Sequence, residues 1–183
     1  WRSIKVIYNN EKFCKEYFDL CLKSKYAKDK EILIIPPVAI DESSYLDSDL
    51  VIFETKEVLN ELFSEVQMSI REMMKHKSGA VIFLLKPLYS KSGIDYSPIY
   101  NFSVESFMKS LAKELFPFNI QTMCIVLPFS SENKVQKKLN LLALKYRGIT
   151  KEKQIEFLDS LISNVEILNG QSITMGCGYN LIK

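Results

Sequence analysis

Glycine is scarce in this chain of 183 residues, which contains six glycines, none of them before Gly79. Glycine is the residue that lets a backbone turn with a positive φ or approach a ligand closely. The segment before Gly79 therefore contains no glycine-rich loop of the kind that holds phosphate groups at a helix N-terminus.

Histidine and paired cysteines are also lacking. His76 is the one histidine, and the four cysteines, Cys14, Cys21, Cys124 and Cys177, form no Cys-x-x-Cys pair. Because structural zinc sites use closely spaced Cys and His ligands, we expect no metal site. Cys124 lies within an apolar run and is predicted to be a small buried hydrophobe. A reducing cytosol is the simplest setting for these cysteines.

Long hydrophobic runs and a clustered excess of one charge are missing as well. No apolar run approaches the length of a membrane span, and Trp1-Arg2-Ser3 does not resemble the start of a signal peptide. The net charge is +2, and Lys and Arg alternate with Asp and Glu along the chain. We therefore expect a soluble, cytoplasmic protein that binds neither nucleic acid nor membrane.

Short apolar, β-branched runs alternate with amphipathic stretches, and this alternation predicts a single α/β domain over residues 1–183 with a mainly parallel sheet. No linker or internal repeat divides the chain. The predicted strands are 4–8, 31–37, 49–55, 79–85, 121–128 and 172–176. The predicted helices are 11–24, 58–75, 101–115, 130–145 and 150–163, with Thr150 as a candidate N-cap of the last.

Three segments carry a resemblance to a known family. They are 77–82 (KSGAVI), 103–128 (SVESFMKSLAKEL, then NIQTMCIVLP from Asn119) and 168–178 (LNGQSITMGCG). In this order and spacing, the segments resemble the fourth-strand, active-site-helix and C-terminal regions of short-chain dehydrogenases/reductases, most closely the 3-oxoacyl-carrier-protein reductase type. The resemblance covers about residues 58–183 and implies a Rossmann-like, doubly wound sheet, shortened in its N-terminal half.

The resemblance also implies where catalytic residues should stand. In this family a tyrosine transfers the substrate proton, a lysine four residues later lowers the pKa of that tyrosine, and a serine and an asparagine complete the site. Matching this chain to the family places Lys86 at the serine position, Ser97 at the tyrosine position, Asn101 at the lysine position and Val58 at the asparagine position. None of the four has the family's residue, so we expect a catalytically defective protein.

Two tyrosines stand beside the empty tyrosine position. Tyr96 and Tyr100 are possible substitutes, but the residues four positions later are Tyr100 and Val104, which carry no positive charge. The turn after the first strand reads Tyr8-Asn9-Asn10-Glu11, where dinucleotide binding requires glycines. We therefore expect no bound cofactor, with NADP implied only if the site has been rearranged to keep its activity.

The family's subunits also meet through the two helices that flank the active site. The resemblance implies that helices 58–75 and 101–115 contact a second subunit, with Leu62, Val66, Phe107 and Leu111 as the candidate interface residues. Packing at such a surface does not depend on the catalytic residues, so it can persist after their loss.

Three functions remain open on this evidence. The first is a non-catalytic partner subunit of an active, ketoacyl-type reductase. The second is a homodimeric module that binds a small molecule or an acyl chain at the carboxyl-terminal edge of the sheet, around residues 86–100. The third is an NAD(P)-dependent oxidoreductase with a rearranged active site.

Overall fold

The computed structural model describes residues 5–6, 30–38, 49–86, 98–128 and 151–175. Five strands lie in these ranges: β1 (Lys5–Val6), β2 (Ile32–Ile35), β3 (Gly79–Leu85), β4 (Ile120–Val126) and β5 (Ser172–Thr174). The helices are α1 (Asp49–His76), α2 (Pro98–Leu115) and α3 (Lys151–Ser163), with a 3-10 turn over Phe116–Phe118. Strands and helices alternate from β2 onward, as the sequence predicts.

The five strands form one sheet in the order β1-β2-β3-β4-β5, and every neighbouring pair is parallel. The register between β3 and β4 runs from Gly79 opposite Ile120 to Leu85 opposite Val126. Both of these central strands are buried at every position, which explains why their sequences are continuous apolar runs. The carboxyl ends of the strands therefore meet at a single edge of the sheet.

Helices cover both faces of the sheet. On one face, α1 and α2 pack against alternate strand residues, among them Leu33, Val81 and Phe83. On the other face, α3 packs against the intervening residues, such as Ile34 and Ile82. The fold is therefore α/β, doubly wound and Rossmann-like, as predicted.

The predicted strand 49–55 is wrong. Residues 49–55 form the first two turns of α1, which extends the predicted helix 58–75 at its N-terminal side. Because β2 pairs directly with β3, there is no place between them for another strand. The exposure of Phe53 and Glu54 also suits the outer face of a helix and not a strand in this sheet.

The other predicted elements within the described ranges agree with the structure to within a few residues. Strand 79–85 has the predicted bounds, strand 121–128 is β4, and helix 101–115 begins three residues earlier, at Pro98. Helix 150–163 is α3, and strand 172–176 is shortened to β5. The predicted helices 11–24 and 130–145, the N-cap Thr150 and the end of the chain from Gly176 lie outside the described residues.

Within the described ranges, none of the helices has the length and apolar character needed to cross a bilayer. The longest of them, α1, carries charged residues along its exposed face.

Candidate functional site at the carboxyl edge of the sheet

The end of β3 and the first turn of α2 meet at the carboxyl edge of the sheet. Lys86 directly follows β3, and Asn101 lies on the first turn of α2. The side-chain amide of Asn101 donates a hydrogen bond from Nδ2 to the backbone oxygen of Lys86, over 2.8 Å. The structure therefore brings together two of the four positions that the family resemblance assigns to catalysis.

Asn101 is buried, with 4% of its surface exposed. It takes up the first place in a stripe of buried α2 residues that continues through Val104 and Met108. Because the amide is neutral and its N–H group is bonded to a backbone oxygen, it cannot act as the family's lysine, which is a cation that lowers the pKa of a tyrosine.

Tyr100, one of the two possible substitutes for the catalytic tyrosine, lies in the hydrophobic core with 1% of its surface exposed. A proton donor must come within hydrogen-bond reach of its substrate, which a core tyrosine in this arrangement does not do. Ser97 and Tyr96 lie outside the described residues. Val58 is half-buried and packs against the core on the α1–α2 side.

Three of the four residues predicted for an interface are buried within the chain itself. Leu62 and Val66 are completely buried, Leu111 is 7% exposed, and all three belong to the chain's own core. Phe107 is half-buried, and its ring lies 4.2 Å from that of Phe63 and 6.1 Å from that of Phe83 between ring centroids. The helical periodicity in the sequence thus identifies the sheet-facing stripe of each helix, and of the four residues only Phe107 keeps a partly exposed surface.

Different apolar residues are exposed on the outer faces of the two helices. Phe53 and Met68 on α1 have exposed fractions of 56% and 61%, and Ile99 and Phe102 on α2 have 38% and 57%. Single exposed apolar residues are ordinary on a protein surface. Phe53, Ile99 and Phe102 are distinguished by their position, since each lies near the N-terminus of its helix and hence near the carboxyl edge of the sheet.

Sequence reasoning missed Thr55. This residue lies on α1, is 6% exposed, and its Oγ1 has no hydrogen-bond partner among the described residues. The same holds for Oδ1 of Asn101. The signal was present in the sequence, because Thr55 stands seven residues before Leu62 and so lies on the same buried stripe of the helix.

Two pKa shifts occur on the α1–α2 side of the sheet. Burial, with a smaller effect of nearby Glu105, raises the pKa of the Cys124 thiol, so this cysteine stays protonated. Partial burial and the neighbouring Glu61 raise the pKa of the Glu65 carboxyl on α1. Neither group lies at the carboxyl edge, since Cys124 is in the middle of β4 and Glu65 is in the middle of α1.

Comparison with known proteins identifies the fold. No family model matches the chain, and no curated protein matches it. Among solved structures, acetoin dehydrogenase YohF from Salmonella typhimurium is 18% identical with a TM-score of 0.63, covering 83% of this chain and 65% of that one. An acetoin dehydrogenase from Enterobacter cloacae is 19% identical with a TM-score of 0.61, again covering 83% of this chain and 65% of that one.

A halohydrin dehalogenase bound to ethyl (2S)-oxiran-2-ylacetate is 15% identical with a TM-score of 0.58 and covers 79% of this chain and 66% of that one. These proteins are members of the short-chain dehydrogenase/reductase family, so the predicted resemblance is confirmed at the level of the fold. The chain spans about two thirds of the length of the structures that it matches.

Proposed function

We propose that this chain is a non-catalytic subunit with the short-chain dehydrogenase/reductase fold, which pairs with an active, ketoacyl-type reductase. The observation that carries the proposal is the hydrogen bond from Asn101 to the backbone oxygen of Lys86. Through this bond, the residue that we place at the family's lysine position makes a structural contact. The family's proton transfer requires a positive charge at that position.

The chemical argument rests on the proton that a carbonyl reduction requires. General acid catalysis needs a group with a pKa near the working pH, and in this family a neighbouring cation lowers the pKa of the tyrosine towards this range. Asn101 supplies no charge, and Tyr100 is enclosed in the core. These features support a protein whose fold is retained for a purpose other than hydride transfer.

The outer faces of α1 and α2 support a role in assembly. Phe53, Ile99 and Phe102 are exposed there near the carboxyl edge, and we define these three residues as the outer apolar patch. Aromatic residues and Met are enriched in the buried centres of protein interfaces. We propose that a homologous reductase subunit, or a second copy of this chain, covers the patch.

Native mass spectrometry of the tagged protein, captured from its own host at low expression, tests this proposal. We expect a complex with a full-length reductase that carries Tyr-x-x-x-Lys and the glycine-rich turn. If the protein emerges only as a monomer or a self-dimer, the partner-subunit proposal fails.

A pair of variants tests the outer apolar patch. Phe102→Glu places a charge in this patch, and we expect the complex to be lost, because a buried unpaired carboxylate is costly at an interface. Phe157→Glu is the matched control, since Phe157 is 46% exposed on α3, on the other face of the sheet. Equal effects of the two variants would contradict the proposed surface.

A second candidate function is a homodimeric module that binds a small molecule at the carboxyl edge. The unpartnered, buried oxygens of Thr55 and Asn101 favour it. An assay with millimolar NADPH or NADH and a panel of carbonyl substrates separates these two functions from the third one, an NAD(P)-dependent oxidoreductase with a rearranged active site. Oxidation of the nucleotide by the isolated chain would show an enzyme with a rearranged site, and oxidation of NADPH would identify NADP as its cofactor.

A further inference from the structure

The turn between α3 and β5 contains the one Asn-Gly pair of the sequence. Asn169 precedes Gly170, and every other asparagine is followed by a residue that has a side chain. In an Asn-Gly pair, the backbone nitrogen of the glycine can approach the side-chain carbonyl carbon of the asparagine, because glycine has no Cβ atom to obstruct it. The pair is therefore suited to an intramolecular reaction that removes the side-chain amide.

This reaction, deamidation, requires only water. The backbone nitrogen of Gly170 loses its proton to solvent and forms a bond with Cγ of Asn169. The bond between Cγ and Nδ2 then breaks, and the amide nitrogen takes up a proton from water and leaves as ammonia. One water molecule opens the resulting cyclic imide at either of its two carbonyl carbons, which gives aspartate or isoaspartate.

The geometry of the turn requires the glycine of this pair. Gly170 has a φ of +74°, in the left-handed region that residues with a side chain rarely adopt. A Cβ atom at this position would also lie 3.3 Å from Cβ of Ala112 on α2. A bulkier residue at position 170 would slow deamidation but would strain the turn, so the reactive pair follows from the fold.

Both reacting groups of the pair are bonded to a single residue of β4. The backbone N–H of Thr122 donates to Oδ1 of Asn169 over 2.9 Å, and the backbone N–H of Gly170 donates to the oxygen of Thr122 over 2.8 Å. We call these two hydrogen bonds the Thr122 clasp. Thr122 has no exposed surface, and its hydroxyl donates to the backbone oxygen of Met108 over 3.1 Å, so the clasp is anchored to α2.

We propose that Asn169 is a deamidation site whose rate of reaction is set by the opening of the Thr122 clasp. While the clasp is closed, the N–H group of Gly170 is bonded to the oxygen of Thr122 and is not available to lose its proton and attack Cγ. The reaction therefore requires a local opening of the turn. The site belongs to the isolated chain, so this proposal does not depend on a partner subunit.

The two products have different effects on the turn. Aspartate keeps the side-chain oxygen that accepts from Thr122. Isoaspartate adds a carbon atom to the main chain between residues 169 and 170, so the two halves of the clasp no longer match the N–H and oxygen of Thr122. We expect this loss to loosen the start of β5, where the N–H of Cys124 donates to the oxygen of Gln171.

Peptide mapping by mass spectrometry, after incubation of the chain in mildly alkaline buffer, tests the location of the site. We expect Asn169 to be converted before the other described asparagines. Asn119 and Asn164 are internal controls, because each is followed by a β-branched residue that crowds the attacking nitrogen. Asn169→Gln is the matched variant, since a glutamine has to close a larger ring, and it should show no conversion over the same period.

Hydrogen exchange tests the role of the clasp, because exchange and deamidation both require release of the same N–H group of Gly170. The reference is a synthetic peptide of residues 164–175, which lacks Thr122. We expect deamidation and Gly170 exchange each to be slower in the folded chain than in the peptide by about tenfold or more. The two ratios should agree within about threefold, since one opening controls both.

A comparison of the products tests the effect on the turn. In the isoaspartate form, separated by chromatography, the N–H group of Thr122 should exchange faster than in the unmodified chain by about tenfold or more. Asn169→Asp is the control, because its carboxylate can still accept from Thr122, and it should keep this protection.

Three results would overturn the inference. The first is earlier conversion of another described asparagine. The second is deamidation of the folded chain at the rate of the peptide while exchange at Gly170 is slow. The third is full protection of Thr122 in the isoaspartate form. Agreement of the two ratios, together with loss of this protection, supports the proposed site.

Discussion

At the scale of single residues, Asn101 has a structural role that a charged side chain could not take. A cation at position 101 would have to remain solvated or be paired, whereas the amide can be buried at 4% exposure and bonded to the backbone oxygen of Lys86. The first turn of α2 can therefore pack directly against the end of β3.

Cys124 provides a residue-scale prediction. Burial raises the pKa of its thiol, and only the thiolate reacts with alkylating reagents. In peptide-resolved mass spectrometry after iodoacetamide treatment at pH 8, we expect Cys124 to be labelled at least about a hundredfold more slowly in the native chain than in the urea-unfolded chain. Comparable rates in the two states would show that β4 opens readily.

The same shift has a consequence for stability. A thiol with a raised pKa in the folded state contributes stability that is complete below the pKa of the unfolded thiol, and this stability decreases as the pH rises above it. The contribution of Cys124 is therefore lost only in alkaline solution. The unfolding free energy of Cys124→Val should fall less steeply than that of the unsubstituted chain above about pH 8.5, as measured by urea denaturation.

The sequence predicted part of the candidate site. The spacing of neighbouring motifs predicted that Lys86 and Asn101 match two family positions; the structure brings the two residues together, and the match itself stays a prediction. That Tyr100 would lie in the core could not be predicted with the same certainty, because a tyrosine has both an apolar ring and a polar end. Thr55 was missed because residues 49–55 were predicted as a strand, so its place on the buried stripe of α1 was not recognised.

At the scale of secondary-structure elements, α1 shows why a short apolar run is ambiguous. Residues 50–53 (LVIF) between acidic residues fit a buried strand as well as a helical turn. The deciding signal is an absence, since no glycine or proline occurs between Asp49 and His76 to turn a strand into a helix. The bounds of β3, in contrast, were predictable, because Lys77-Ser78 and Lys86-Pro87 enclose a run of seven apolar or small residues.

Two substitutions on α1 distinguish its buried face from its outer face. Leu62→Ala removes a side chain with no exposed surface, and we expect it to lower the free energy of unfolding by about 2–5 kcal/mol. Met68→Ala, on the outer face, should change it by less than about 0.5 kcal/mol in the isolated chain. Urea denaturation followed by circular dichroism measures both, and similar values would contradict the assignment of the two faces.

The junction between α1 and β3 depends on a glycine. A Cβ atom at Gly79 would lie 2.8 Å from Sδ of Met73 and 3.3 Å from the backbone oxygen of Glu31. Since Met73 is fully buried, we expect Gly79→Ala to lower the free energy of unfolding by about 1–3 kcal/mol.

A double-mutant cycle separates the contact from the backbone. In the background of Met73→Ala, the closest contact is removed, so Gly79→Ala should cost less than it does alone, with a coupling of at least about 0.5 kcal/mol. Additive effects would mean that the strain arises from the Glu31 backbone oxygen instead.

At the scale of the whole molecule, the connection through α3 differs from the two before it. The steps from β2 to β3 and from β3 to β4 cross the sheet in one direction, with α1 and α2 on the same face. The step from β4 to β5 continues in that direction, but α3 lies on the opposite face. Judged by the position of α3, the crossover from β4 to β5 therefore has the opposite hand to the crossovers through α1 and α2. About 98% of parallel crossovers are right-handed, so the two kinds cannot both be of the common hand.

An ion pair joins distant parts of the described chain. Lys30, just before β2, pairs with Glu166, which lies in the turn between α3 and β5. Glu166 is largely exposed, so screening by water limits its value. We expect Glu166→Gln to lower the free energy of unfolding by less than about 1 kcal/mol, with the difference reduced further in 1 M salt; a larger loss would mean that the pair is shielded from solvent.

The order of the strands bears on how the polypeptide can fold while a ribosome is still making it. Among the described strands, each one from β2 onward pairs with the strand that precedes it in the chain, and none inserts between two earlier ones. Synthesis from the N-terminus therefore presents every new strand to an edge that has already emerged. The sheet can grow vectorially, one unit at a time, without reopening any strand pair that has formed.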